Sequence, residues 1–529
     1  MIGSDILFHT FYIFENTPIT SGMKHTLSLV LIIISFCVSA QSSKVKQYVF
    51  DQKNQHRWLK QYTELLAIPN VLGDSLNMQR NAVWLKDYLT HNGVKSQLLQ
   101  SDKAGSAPVV YGDVITPGAT TTVAFYAHYD GQPVNPKQWS EGLSPFTPVL
   151  LSDRLDKGGK IISFPTESET IQPNWRLYGR GSSDDKAGVF AIMAAYESII
   201  ASGMKPTINI KFFFEGEEEA GSINLAEIFM QHKELLKADQ WIICDGPRHM
   251  SGKKQAVFGV RGDINMDVKL YGAKRPLHSG HYGNWAPNPA MRLVQLLATM
   301  KDKNGKVLIK GFYDDVTPLT EAEKKALSAI PSVDEMLKKD LMVAQPDGEG
   351  KSITELLTMP TLNINGIQSA SVGSMAANVI PTEAVATLDL RLVLGNDVDR
   401  QVKKVMDHIR SEGYTVIDHE PTDEERMQYP LLAKVMKRGA GYNAQRTPMD
   451  LPLAQRAIKA VETTIDYPVV RVPSVGGSLP LYLYEQLLQT KPIAIPIVNY
   501  DNNQHAENEN VILQYLWEGI ESMAALMRM

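Results

Sequence analysis

His128, Glu218, Glu219 and Asp245 each stand at or just beyond the end of an apolar run, and His505 follows another after a short loop. Those runs, at residues 121–127, 208–214, 241–244 and 493–498, read as buried strands, and open α/β sheets gather ligand sites at the carboxyl ends of such strands. Imidazole and carboxylate donors arriving from separate segments suit a bridged pair of divalent ions better than a single tetrahedral zinc. The chemistry of such a centre is hydrolysis by an activated water. Each residue taken alone has a plainer reading. A lone histidine is more often a hydrogen-bonded core or surface residue, and Glu217-Glu218-Glu219 would ordinarily be a solvated turn. That run follows Phe212-Phe213-Phe214, however. At a strand end, adjacent carboxylates repel and are costly to desolvate unless a cation or proton compensates. Asp184 lies in Gly179-Arg180-Gly181-Ser182-Ser183-Asp184-Asp185-Lys186, which by itself reads as a Gly-rich turn capping the next helix. It is neither a phosphate loop nor a dinucleotide fingerprint, and no G-x-S-x-G elbow surrounds Ser478.

These residues have to be positioned by a scaffold. Short β-rich runs alternate with helical stretches such as 187–200 and 513–526, which predicts an α/β domain with a mostly parallel sheet. A second unit begins near Gly259. There, residues 263–271, 289–300, 361–367, 384–393, 398–412 and 414–419 read as β, α, β, β, α, β, the order of a ferredoxin-like α+β module. The charged stretch 301–359 is an elaboration inside it. The expected organisation is an upstream extension and leader over 1–40, a catalytic domain in two parts over 41–258 and 441–529, and a lid over 259–440.

Taken together, the motifs resemble the carnosinase-type dinuclear zinc exopeptidases, a family that also contains glutamate carboxypeptidase, aminoacylase and succinyl-diaminopimelate desuccinylase. The resemblance rests on His128-Tyr129-Asp130, the 179–186 segment, Glu217 to Ser222, Asp245 and His505 to Glu509, in that order along nearly the whole mature chain. It implies a zinc-exopeptidase-like α/β catalytic domain with an inserted lid and dimerisation domain. It also implies two divalent ions, zinc in the first place with manganese or cobalt able to use the same ligands. Asp184 would bridge them, His128 and Asp245 would complete one site, and Glu219 and His505 the other. Glu218 would be the general base, and Asp130 would accept the ring N–H of His128 and fix its tautomer. The bond after Asp184 would be cis. In the lid, Leu277-His278-Ser279-Gly280, residues 377–381 and Leu390-Arg391-Leu392 extend the match. They imply that His278 stabilises the oxyanion, reaching in from a partner subunit, while Arg391 with Asn378 clamps the substrate carboxylate. Ser478 would bind substrate. The implied activity is exopeptidase cleavage of dipeptides or short peptides, carboxypeptidase-like in type and carried out by a homodimer. An N-acyl amino acid deacylase using the same centre is the first alternative, and a non-catalytic exported binding protein the second.

Composition narrows the field. The 529 residues carry a formal charge of -5, with 43% hydrophobic and 21% charged residues, an ordinary globular balance without the basic footprint of a nucleic-acid binder. Two cysteines, Cys37 and Cys244, make neither a disulfide framework nor a thiolate zinc site. From Met23, a basic start, an apolar run to Val38 and the small residues Ser39-Ala40 read as a secretory signal. The expectation is therefore an exported, periplasmic or secreted protein with no stable membrane anchor after cleavage.

Overall fold

The structure is a computed structural model that describes residues 44–529 apart from Ala104 and Ser478. The leader expected over 1–40 and the expected role of Ser478 therefore lie outside the described residues.

An eight-stranded sheet organises the larger unit. Its spatial order is Lys95–Leu99, Val109–Val114, Asn209–Glu215, Thr122–His128, Gln240–Ile243, Ile493–Ala494, Gln255–Val257 and Val470–Val472. The central neighbours, Thr122–His128 with Asn209–Glu215 and with Gln240–Ile243, are parallel. Antiparallel pairing enters toward the Lys95–Leu99 edge. Strand alternation sorts the side chains of Thr122–His128 between two faces. Val123, Phe125 and Ala127 join the core with helices Lys186–Ala201 and Leu513–Leu526, while Ala124 and Tyr126 pack on the other side with Phe213, Phe229, Trp241 and Tyr484. Helices on both faces leave the strand ends as the open crevice of a doubly covered α/β sheet. The fold class is thus the mixed α/β architecture expected, with a mostly parallel central sheet.

A four-stranded antiparallel sheet, in the order Asn510–Ile512, Arg176–Tyr178, Val149–Leu151 and Ile161–Ile162, lies beside it. Its pairing of Asn510 with Tyr178 matters most, because the chain leaving Tyr178 forms the Asp184 turn and the chain entering Asn510 is the His505 loop.

The inserted unit is a five-stranded sheet in the order Thr361–Gln368, Glu383–Leu392, Gly262–Tyr271, Leu432–Tyr442 and Thr415–Ile417, covered by helices Pro289–Met300 and Val398–Ser411. The sequence pattern anticipates all of these elements except Leu432–Tyr442, which pairs antiparallel with Gly262–Tyr271 at the middle of the sheet. Its second half, Lys437-Arg438-Gly439-Ala440-Gly441, is exposed through Ala440 and carries no apolar alternation, so the period-2 signal is missing where the strand is longest. The chain crosses between the two units on an antiparallel ladder of Gly259–Val260 with Gln445–Arg446. Among the described residues, no helix is long and apolar enough to cross a membrane.

Candidate metal centre

His128 is the last residue of its strand and is fully buried. Its Nε2 lies 3.1 Å from Asp184 Oδ1 and 3.8 Å from both Glu218 Oε2 and Asp245 Oδ2. On the other side of Asp184, Oδ2 lies 3.1 Å from His505 Nε2, which is itself 3.3 Å from Glu219 Oε2. All the residues expected as ligands, with Glu218, thus converge at the strand ends.

Two triads of donor atoms, each within 4.8 Å, lie in this cluster: His128, Asp185 and Asp245, and Asp184, Glu219 and His505. The first contains Asp185 where the expectation has Asp184. Asp185 is already engaged as the N-cap of helix Lys186–Ala201, its Oδ1 accepting from Gly188 N at 3.1 Å and its Oδ2 from His128 N at 3.2 Å. Asp184 alone reaches both imidazoles. The Asp184–Asp185 peptide is cis.

The helix can come this close because position 188 is glycine. A Cβ there would stand 2.0 Å from the carbonyl oxygen of Cys244, so any side chain would push the Asp184 turn away from Asp245.

Asp130 ties two ligand segments together. Its Oδ1 and Oδ2 accept the backbone N–H groups of Glu218 and Glu219 at 3.1 and 2.9 Å, and Oδ1 lies 3.3 Å from His128 Nδ1. The backbone oxygen of Asp130 is also 3.2 Å from that nitrogen. Glu217 faces backwards, accepting from Ala107 N and Asn224 Nδ2, so only Glu218 and Glu219 of the acidic run face the cluster.

Two residues that the sequence reading left without a role hold Asp184 and Glu219 in place. Glu509 is fully buried and accepts from Gly181 N, Ser183 N, Ser183 Oγ and Asp184 N at 2.8 to 3.0 Å, with Arg180 Nη1 at 2.8 Å. It fixes the Asp184 turn onto the His505 loop. Gln132 Nε2 donates to Glu219 Oε2 at 2.8 Å. The available signal for Glu509 was an acid two residues before the apolar Val511-Ile512-Leu513, where a charge needs a buried partner. Gln132 offered none.

The electrostatics follow from crowding. Burial first, and neighbouring carboxylates second, push Asp245 up to about 6 and Glu219 up to about 7, and raise Glu218 well above the usual carboxylate range. Burial also works against Asp184, but hydrogen bonds from His128 and His505 hold its carboxyl well below that range. His128 moves the opposite way: burial lowers it, yet Asp130 and Asp184 raise it far above an ordinary histidine.

The lid residues are placed apart from this cluster. His278 is exposed at the end of the short Leu277–His278 strand, its Nδ1 accepting from Gly280 N at 3.1 Å and its ring 4.6 Å from that of His281. The backbone oxygen of Asn378 accepts from Ser279 N at 3.0 Å, which keeps these two residues together. Arg391 pairs with Asp389 and Asp263 on its own sheet, at 3.2 and 3.5 Å. Among the described contacts, none links these three residues to the cluster.

A mostly parallel sheet whose strand ends gather clustered carboxylates and imidazoles defines a metal-dependent hydrolase. The chain belongs to peptidase family M20/M25/M40, whose pattern matches residues 124–529, and it is a metallopeptidase using divalent ions. It is 25% identical to the Cys-Gly metallodipeptidase dug1 of Schizosaccharomyces pombe over 496 residues, which are 90% of this chain and 96% of that one. It is 27% identical to the Beta-Ala-His dipeptidase of Homo sapiens over 424 residues, 79% of this chain and 76% of that one. The M20 family metallo-carboxypeptidase Sso-CP2 from Sulfolobus solfataricus superposes with a TM-score of 0.71 at 27% identity, covering 89% of this chain and 98% of that one. These relatives correct one expectation. The Schizosaccharomyces pombe enzyme is a cytosolic dipeptidase, which overturns the reading of an exported, periplasmic or secreted protein drawn from residues 23–40.

Proposed function

We propose that this metallopeptidase cleaves dipeptides or other short peptides as an exopeptidase, with His128, Asp184 and Asp245 holding one cation and Asp184, Glu219 and His505 the other. The carrying observation is Asp184, whose two oxygens each lie 3.1 Å from a different imidazole. A carboxylate so placed has the reach of a bridging ligand. The charge fits as well: burial and neighbouring carboxylates push these groups up to about 6 and about 7, and a bound cation would stabilise their ionised form. Zinc suits the mixed donor set, and manganese or cobalt can use it. The dipeptidase names of two relatives support the substrate class.

When bound, the ions would polarise the scissile carbonyl and acidify water. Glu218, half-buried and 3.8 Å from His128 Nε2, takes the proton from the attacking water and hands it to the leaving amine. Asp130 fixes the ring of His128 and, through the two backbone N–H groups, the direction of Glu218. Arg391 and Asn378 bind the substrate carboxylate, Ser478 serves as a further substrate-binding residue, and His278 stabilises the oxyanion in the partner subunit of a homodimer. Exposure of His278 on the lid supports that exchange. So do Met291 and Val294, 59% and 53% exposed on helix Pro289–Met300, beside a sheet whose edge strand Thr361–Gln368 shows Ile367 to solvent. The test is metal analysis of purified protein and of His128→Ala and His505→Ala: the proposal expects two ions per chain in the first and one in each variant, and a single ion in the parent would sink it.

A further inference from the structure

Helix Glu321–Ala329 belongs to the charged elaboration of the lid, yet it lies against strand Val470–Val472, the edge of the eight-stranded sheet of the catalytic unit. A buried ion pair, Glu323 Oε1 to Arg446 Nε at 2.8 Å, ties it to the ladder that joins the two units. A cavity of about 500 Å³ remains beside this contact, within the range of small-molecule sites, and no residue of the metal centre lines it. Its wall is apolar, built by Ala326 and Ala329 of the helix and by Met449, Val469 and Val470 of the catalytic unit. Its charged lining has both signs: Lys253, Lys325 and Arg471 bring cations, and Asp450 is the one acid. Arg471 is loosely tied, with Nη2 3.9 Å from Glu462 Oε1 and Nη1 3.4 Å from Gln455 Oε1. Lys253 Nζ stands 5.5 Å from the centre of the Tyr467 ring. Among the described ion pairs, none takes in Lys253, Lys325 or Asp450. Opposite charges that line one cavity without pairing leave both signs to a ligand.

We infer that this cavity binds a free apolar α-amino acid, its carboxylate received by Lys253, Lys325 and Arg471, its ammonium by Asp450 and its side chain by the apolar wall. A zwitterion answers both signs of the lining. A plain carboxylate would leave Asp450 unanswered, and a plain amine would meet three cations. Peptide hydrolysis releases molecules of this class, but the site does not depend on the proposed substrate, because binding is read without turnover.

The test is calorimetric titration of the metal-loaded protein with L-leucine, glycine and isocaproate, for the parent, Ala329→Trp, Lys325→Glu and Asp450→Asn. The parent is expected to bind leucine with a Kd on the order of 1 mM or tighter. Glycine lacks the apolar side chain and isocaproate the ammonium, so each binds about ten-fold more weakly. Ala329→Trp fills the cavity and abolishes this binding, Lys325→Glu and Asp450→Asn weaken it about ten-fold, and dipeptide hydrolysis without added amino acid stays within about two-fold in all three. A leucine isotherm unchanged in all three variants places the ligand elsewhere, the metal centre included, and overturns the inference. So does no leucine binding up to about 10 mM, or glycine or isocaproate bound as tightly as leucine. Loss in Ala329→Trp with both charge variants at parent affinity overturns it as well. Melting curves accompany each variant. Where Ala329→Trp does not fold, Lys325→Glu and Asp450→Asn decide, since both side chains are exposed.

Discussion

Asp130 Oδ1 stands 3.3 Å from His128 Nδ1 while the same carboxylate accepts the backbone N–H groups of Glu218 and Glu219. One buried acid therefore sets the ring of His128 at the end of one strand and the direction of Glu218 and Glu219 just beyond the end of the next. Removing such an outer partner typically costs 10- to 100-fold in metal affinity. Asp130→Ala is expected to lose about that much in a competition titration against a chelator, with kcat falling as Glu218 loses its direction. Unchanged affinity and rate would show that His128 and the Glu218–Glu219 turn hold themselves.

Glu509 makes a second prediction. Its oxygens face three backbone N–H groups, a hydroxyl and Arg180, all donors. Glu509→Gln turns one oxygen into an amide that confronts donors, and it leaves Arg180 buried without its counter-charge. Breaking a buried ion pair costs about 3 to 5 kcal/mol. The variant is expected to melt well below the parent, and its folded fraction to bind the cation near His505 more weakly than the one near His128. A melting point equal to the parent's would remove Glu509 from the account.

The titration of the centre gives a pH dependence with a definite sign. Burial holds Asp245 up to about 6 and Glu219 up to about 7, and His128 is raised far above an ordinary histidine by Asp130 and Asp184 after burial has lowered it. All three carry protons at low pH and must lose them to bind a cation, so affinity rises with pH through 6 and 7 and proton release is largest at the acid end. Calorimetric titration with zinc at pH 6 and pH 8, in buffers of different ionisation enthalpy, measures both. Equal affinity and no net proton release at pH 6 would contradict it.

Much of this was legible in the residues. The strand ends carrying His128, Glu218, Glu219 and Asp245 were readable because an apolar run that stops abruptly at a charged residue is a buried strand meeting a crevice. Helix Pro289–Met300 was anticipated to the residue because proline opens it behind an asparagine cap. Strand Leu432–Tyr442 was missed because its pairing comes from the register with Gly262–Tyr271 and not from its own alternation. Ile493–Ala494 is shorter than the apolar run 493–498 suggests, since Pro496 withholds the N–H that a ladder needs. Glu509 and Gln132 escaped because a residue that acts by holding another leaves no spacing signal. Export was read from a leader composition, and a cytosolic relative aligned over 90% of the chain overrides it.

The central claim is a cation-dependent hydrolysis in which Glu218 moves the proton, and it is tested by one comparison. Purified protein, Glu218→Gln and chelator-stripped protein are given dipeptides, longer peptides and N-acetyl amino acids, and product amine is measured. The account predicts dipeptide cleavage by the parent, a fall in kcat of about 10²- to 10⁴-fold in Glu218→Gln with its ions retained, and loss in stripped protein that added zinc restores. Cleavage that survives Glu218→Gln, or release of acetate in place of any dipeptide cleavage, would contradict it.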